Sequence, residues 1–203
     1  MSKTKKLLIA AVCLVAILTT AVVGTIAWLT DKTATVTNTF SPSNINITLT
    51  ETKGTGSSET AKDFKMVPGT AITKDPVVTV KKNSEACWLF VKIDENLGAW
   101  AVNNKPFSNY LTYSVITGEN GWTELGDGVY YRKVAASTED QSFNVLVDNE
   151  VNVLGTVTKA DMDKLYATGA KYPTLSFTAY AIQQEGFTDV AAAWAAASAL
   201  ANN

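Results

Sequence analysis

The chain has 203 residues, 17 of them Lys or Arg and 19 Asp or Glu, for a formal net charge of -2, and it contains no histidine. That absence removes serine and cysteine triads built on imidazole, His-containing zinc sets and the HExxH arrangement of metallopeptidases. The length suits a leader followed by one substantial domain, or two small domains.

Lys3, Lys5 and Lys6 precede an apolar run from Leu7 to Leu29, broken only by Thr19, Thr20, Gly24 and Thr25. A basic start, an apolar stretch and small residues at the exit form a secretory signal pattern, so residues 1–27 read as a signal peptide. Cleavage between Ala27 and Trp28 places Thr25 and Ala27 at the minus-three and minus-one positions. A 23-residue apolar run is also long enough to span a bilayer. The polar sequence after Asp31 carries no basic stop-transfer cluster, which favours removal.

Loss of the three leader lysines takes the basic residues from 17 to 14 against 19 acidic ones, a net charge near -5 for the 176 residues from Trp28 to Asn203. A surface of that sign has no general attraction for nucleic acid or anionic lipid. Membrane contact is therefore expected only through the leader, with a signal peptidase as the partner during export. Cys13 lies too early in the apolar run, and without the small-residue setting, to be read as a lipidation site.

Cys87 is then the single cysteine of the mature chain, so an intramolecular disulfide is excluded and a packed core must hold the fold. Its setting, Ala86-Cys87-Trp88-Leu89-Phe90-Val91, predicts a buried apolar role rather than a nucleophile or a metal ligand. No cofactor is expected.

Along the mature chain, Thr33–Phe40 (TATVTNTF) and the alternation of Ile45, Ile47 and Leu49 predict strands with one apolar face. The Gly- and Ser-rich stretch Thr52–Thr60 reads as a polar connection and Pro68-Gly69 as a turn. Pro76–Val80 and Ala86–Ile93 follow as strands, the second apolar on both faces and so predicted to lie centrally between packed layers. Asn109–Ile116, Gly128–Val134 and Ser142–Val147 are further strands, separated by turns at Gly118, Asn120-Gly121 and Asp127-Gly128.

Thr158 and Asp161 have the spacing of a capping box, which predicts a short helix with Met162, Leu165 and Tyr166 on its buried face and Gly169 at its end. Capping is a better account of Asp161 than a metal pair with Asp163. Thr174–Ile182 is a strand, and Pro173 before it suits a strand start or an edge. Asp189–Leu200 is an Ala-rich helix with Val190, Trp194, Ala197 and Leu200 on one side. So many strands and two short helices predict a mainly β fold, an antiparallel β-sandwich in a single domain from residue 28 to 203.

The stretch Gly24–Glu51, GTIAWLTDKTATVTNTFSPSNINITLTE, resembles the N-terminal region of the TasA and camelysin family of bacterial secreted proteins. The matching features are the small-residue exit of the leader, the aromatic and Asp31 that follow, Asn38-Thr39-Phe40, and the alternating strand ending at Glu51. Lys65–Gly69 and Ser84–Ile93 resemble later segments of the family in the same order. The resemblance implies a jelly-roll β-sandwich released by a dedicated signal peptidase. It also implies an extracellular biofilm-matrix or surface fibre subunit whose N-terminal strand is donated to the next copy of itself or to a related matrix subunit. Residues 28–40 are then the candidate donor segment, with Ala34, Val36, Asn38 and Phe40 on its inserting face. The competing reading leaves Thr33–Phe40 in its own sheet.

Camelysins are also described as peptidases. This chain lacks histidine, and Asp31, Asp63, Asp94, Glu95, Asp127 and Asp148 are scattered without a spacing for acid–base or zinc chemistry, so no enzyme activity is expected. Trp100, Tyr110, Tyr113, Trp122, Tyr130 and Tyr131 raise a third possibility, a carbohydrate-binding or adhesive surface module. That reading requires these rings to form an exposed platform; packing within the sheets is the alternative.

Overall fold

The computed structural model describes residues 3–5, 44–52 and 64–200. The chain divides into two units, Met1–Ser41 and Pro42–Asn203, and the second carries the strands and helices named below. The predicted strand Thr33–Phe40 and most of the polar connection after Thr52 lie outside the described residues.

Among the described residues the fold is mainly β, with three separate antiparallel sheets and none closed into a barrel. One sheet runs in the order β1 (Ile47–Thr50), β3 (Val77–Val80), β8 (Gln141–Asn144). The largest runs β10 (Thr174–Gln183), β4 (Cys87–Asn96), β7 (Val129–Val134), β6 (Thr123–Gly126). The third runs β2 (Ala71–Thr73), β9 (Glu150–Val153), β5 (Leu111–Thr112). Among the described residues of this unit, two helices complete the set, α1 (Lys159–Leu165) and α2 (Val190–Leu200), along with short 3-10 turns.

The doubly apolar pattern of β4 predicts a central strand, and that is its position. It pairs with β10 along its whole length, from Cys87 opposite Gln183 to Asn96 opposite Thr174, and with β7 from Cys87 opposite Val134 to Lys92 opposite Val129. Cys87, Leu89, Val91 and Ile93 enter the main core with Val78, Val80, Val151, Val153, Trp100 and Trp122. Trp88 and Phe90 point to the other face, where α2 covers them. There the Trp194 ring meets Phe90 at 5.3 Å and Tyr180 edge-on at 5.1 Å, the tilted and perpendicular arrangements that ring quadrupoles favour. The helix buries Ala193 and Ala197 fully, whereas Val190 and Trp194 are half-buried.

The turn chemistry follows the sequence closely. Asp127 and Gly128 both have positive φ, 51° and 73°, joining β6 to β7 as a two-residue hairpin. Gly69 has φ 80° after Pro68, with the Thr70 amide donating to the Val67 carbonyl at 3.1 Å. Thr158 caps α1 as its sequence predicts, its hydroxyl accepting from the Asp161 amide while the Asp161 carboxylate accepts from the Thr158 amide. Those bonds to Thr158, side chain first and backbone second, hold the Asp161 carboxyl below the usual carboxylate range.

Several expectations need correction. Tyr166 was expected on the buried face of α1, but the helix ends at Leu165 and Tyr166, as its C-terminal cap, is 77% exposed. Gly169 takes φ 79° in the turn after the helix rather than ending it. Within Asn109–Ile116 only Leu111 and Thr112 form a strand, because Phe107–Asn109 makes a 3-10 turn and Val115 makes an isolated bridge to Leu146. Strands β2, β6 and β9 were not anticipated.

Candidate strand-accepting cleft

Among the described residues β10 pairs only on its β4 side, so one edge of the largest sheet has no partner strand there. Pro173 stands directly before that strand, as suits an edge. Leu175, Phe177, Ala179 and Ala181 turn toward the main core yet remain only half-buried. The same holds for Ile47 and Leu49 on β1, which lies beside β10 and is itself the edge of its sheet. Two sheet edges therefore meet at a seam where apolar side chains are incompletely covered.

A cleft of about 1140 Å³ opens at that seam. Its walls are the end of β1, the segment Phe64–Met66, β2, α1, and the stretch from Ala170 into the first residues of β10. Leu49, Ile72, Leu111, Met162, Leu165 and Phe177 contribute apolar groups to a lining that is also substantially polar. A concavity lined by core-type residues is an energetic liability in water unless something covers it.

One charged pair lies in the wall. The Lys74 ammonium donates to both oxygens of Glu51, at 3.0 and 2.9 Å, and the side chains are only 11% and 14% exposed. The ammonium also sits 5.0 Å from the Phe64 ring centre and 5.2 Å from that of Phe177, over faces that attract a cation. Both residues are placed by strand parity. Ile45, Ile47 and Leu49 face inward and Glu51 continues their side; Ile72 faces inward from β2 and Lys74 continues its side. The backbone fixes the pair further: the Lys74 amide donates to the Asn149 carbonyl at 2.7 Å, and the Thr52 amide donates to the Asp75 carboxylate at 3.1 Å.

The opposite wall is held by polar contacts behind α1. The Trp100 indole donates to the Asp161 carbonyl at 2.8 Å and stacks on Tyr110 at 4.5 Å, with only 15° between the ring planes. The Asn103 amide donates to the Tyr110 hydroxyl at 2.6 Å and to the Asp161 carboxylate at 3.2 Å, while Lys164 donates to the Asn103 carbonyl oxygen. Asp161 thus serves structure. Tyr166 and Tyr172, 77% and 64% exposed, stand at the mouth of the cleft.

The predicted site residues Ala27, Trp28, Ala34, Val36, Asn38 and Phe40 all lie outside the described residues. Of the scattered acids, Asp94 pairs with Lys92 at 3.0 Å and Glu95 accepts from the Tyr113 hydroxyl at 2.9 Å. Asp127 and Asp148 occupy left-handed turn positions, and Asp31 and Asp63 are outside the described residues. Among the described residues no group of three or more His, Cys, Asp or Glu is placed to hold a metal ion. The six aromatics proposed for a sugar platform are not exposed: Trp100, Tyr110 and Trp122 are buried, and Tyr113, Tyr130 and Tyr131 are half-buried.

Cys87 has no solvent exposure, and burial pushes its thiol up to about 11. At neutral pH it is a thiol and not the nucleophilic thiolate. Cys87→Ser, which buries a hydroxyl in place of a small apolar group, is expected to cost about 1–3 kcal/mol in urea unfolding. In the native chain the thiol should resist modification until the protein unfolds. Rapid labelling of the folded protein would contradict this placement.

No protein-family model, curated protein or solved structure matches the chain.

Proposed function

We propose that the protein is a secreted structural subunit of a bacterial extracellular matrix or cell surface, of the TasA and camelysin type. On this reading it self-associates by laying the N-terminal strand of one copy beside β10 of the next. The observation that supports the reading is the edge of β10 that has no strand partner among the described residues, with its half-buried apolar side chains and the cleft beside it. The three sheets are then parts of a jelly-roll-like sandwich whose seam between β1 and β10 is filled by the donated strand.

The sequence of residues 28–40 suits that task. An added strand gains main-chain hydrogen bonds along an edge, and alternate side chains filling pockets set its position. Val36 and Phe40 would gain roughly 1.5–3 kcal/mol each on full burial, and Ala34 less. The alternate Thr side chains on the other face keep the free strand soluble. Such a contact is heterologous and does not close on itself, so it propagates into a filament. The work is done by a sheet edge, with no catalytic centre and no cofactor.

The test compares the processed chain with one lacking residues 28–40 by electron microscopy and size separation. Filaments are expected from the first, and particles that do not elongate from the second. Equal filament formation would overturn strand donation.

A further inference from the structure

We infer that the cleft beside β1 and β10 is also a binding site for a free single-chain carboxylic acid, with the alkyl chain on its floor and the carboxylate at its mouth beside Lys65 and Lys171. The inference goes beyond strand donation and rests on described residues alone. The lining changes character with depth. Leu111, Val151 and Leu165 line the cleft and are 6%, 4% and 4% exposed, so its floor is part of the main core. Met162, half-buried, adds an unbranched side chain that adapts to an irregular apolar body. Lys65, Tyr166, Lys171 and Tyr172 belong to the same lining but are exposed, and these are the side-chain types that suit a boundary between apolar matter and water.

Charge selects the head group. Across the chain acids outnumber bases by 19 to 17, yet among the described residues the lining holds Lys65, Lys74 and Lys171 against Glu51 as its one acid. Lys74 and Glu51 compensate each other at 2.9 Å in the wall. Lys65 and Lys171 form no ion pair among the described residues, so the surplus positive charge sits on the exposed rim, where a ligand's head would meet water. An anionic head is attracted there, a cationic one is repelled, and a neutral one gains no ionic contact. The chain below the head covers apolar surface that water otherwise wets, each buried methylene adding to the affinity. A volume of about 1140 Å³ gives it ample room.

The test titrates dodecanoate and dodecylammonium, each below its micelle concentration and at low salt, into the processed chain by calorimetry. Dodecanoate is expected to bind at least about tenfold more tightly, because two rim lysines attract one head and repel the other while the alkyl chains are identical. Lys65→Glu combined with Lys171→Glu should abolish or reverse that preference. Lys82→Glu combined with Lys105→Glu changes the net charge equally at positions outside the lining and should keep it. All four lysines are exposed, so the variants should fold, and urea unfolding checks that they do. Equal affinity for the two heads, or a Lys65/Lys171 variant that binds dodecanoate as the native chain does, would overturn the site. Strand donation uses the same cleft, so bound dodecanoate should also slow elongation; binding that leaves elongation unchanged supports the carboxylate site and counts against strand entry there.

Discussion

Lys74→Met should destabilise the folded chain by about 3 kcal/mol, because it leaves the Glu51 carboxylate in a largely buried position with its partner gone. The lost bidentate contact is the smaller part of that effect. The larger part is the Glu51 charge left unpaired in the wall of the cleft. Replacing both partners, as in Lys74→Met with Glu51→Leu, should recover most of the loss, since two apolar side chains need no desolvation. Urea unfolding of the two variants and the native chain measures this directly. If the double variant is no more stable than the single one, the pair supports the fold in some way other than mutual charge compensation.

Gly98→Ala is expected to have a comparable effect by a backbone route. Gly98 has φ 54°, and a Cβ there would lie 2.2 Å from the Lys171 carbonyl oxygen and 2.6 Å from the Tyr172 carbonyl carbon. The left-handed conformation costs roughly 1–2 kcal/mol for a residue with a side chain, and relieving overlap with backbone adds about 1–3 kcal/mol. The neighbouring Ala99 amide donates to the same Lys171 carbonyl at 2.8 Å, so the clash falls on a contact that already ties the two segments together. Lys171 and Tyr172 form one wall of the cleft. Alanine should therefore lower thermal stability and, under the strand-donation proposal, impair assembly in the same variant. A Gly98→Ala protein with native unfolding temperature and native filaments would contradict the close approach.

Much of this architecture is written in local pattern. The double-sided apolar run of β4, the Asp127-Gly128 hairpin and the Thr158/Asp161 box each rest on neighbours in sequence, and all three stand in the structure. Strands β2, β6 and β9 escape such reasoning because they are three or four residues long and two of them take their pairing from distant chain. Ile72 faces Val151 across 79 positions, and no local period announces that. Tyr166 shows the opposite failure, since helical spacing places it inward only if the helix continues past Leu165.

The cleft itself was partly legible. Nothing in the sequence says that a seam stays open, because that depends on which strands find partners. Glu51 is visible as a charge that continues the inward parity of Ile45, Ile47 and Leu49, where an unmatched charge is costly, whereas Lys74 follows a strand that no local pattern announces. Their partnership follows from parity once the two strand ends are known to lie together.

Hydrogen exchange at β10 tests the central claim most directly. In the unassembled chain the amides of Leu175–Ile182 that do not bond to β4 should exchange readily, because among the described residues that edge has no strand partner. On assembly those amides should become protected, while the edge amides of β6 at Thr123–Gly126 keep their exchange rates. Protection confined to β10 is the result expected if a donated strand pairs there; assembled material whose β10 amides exchange as they do in the free chain would contradict it.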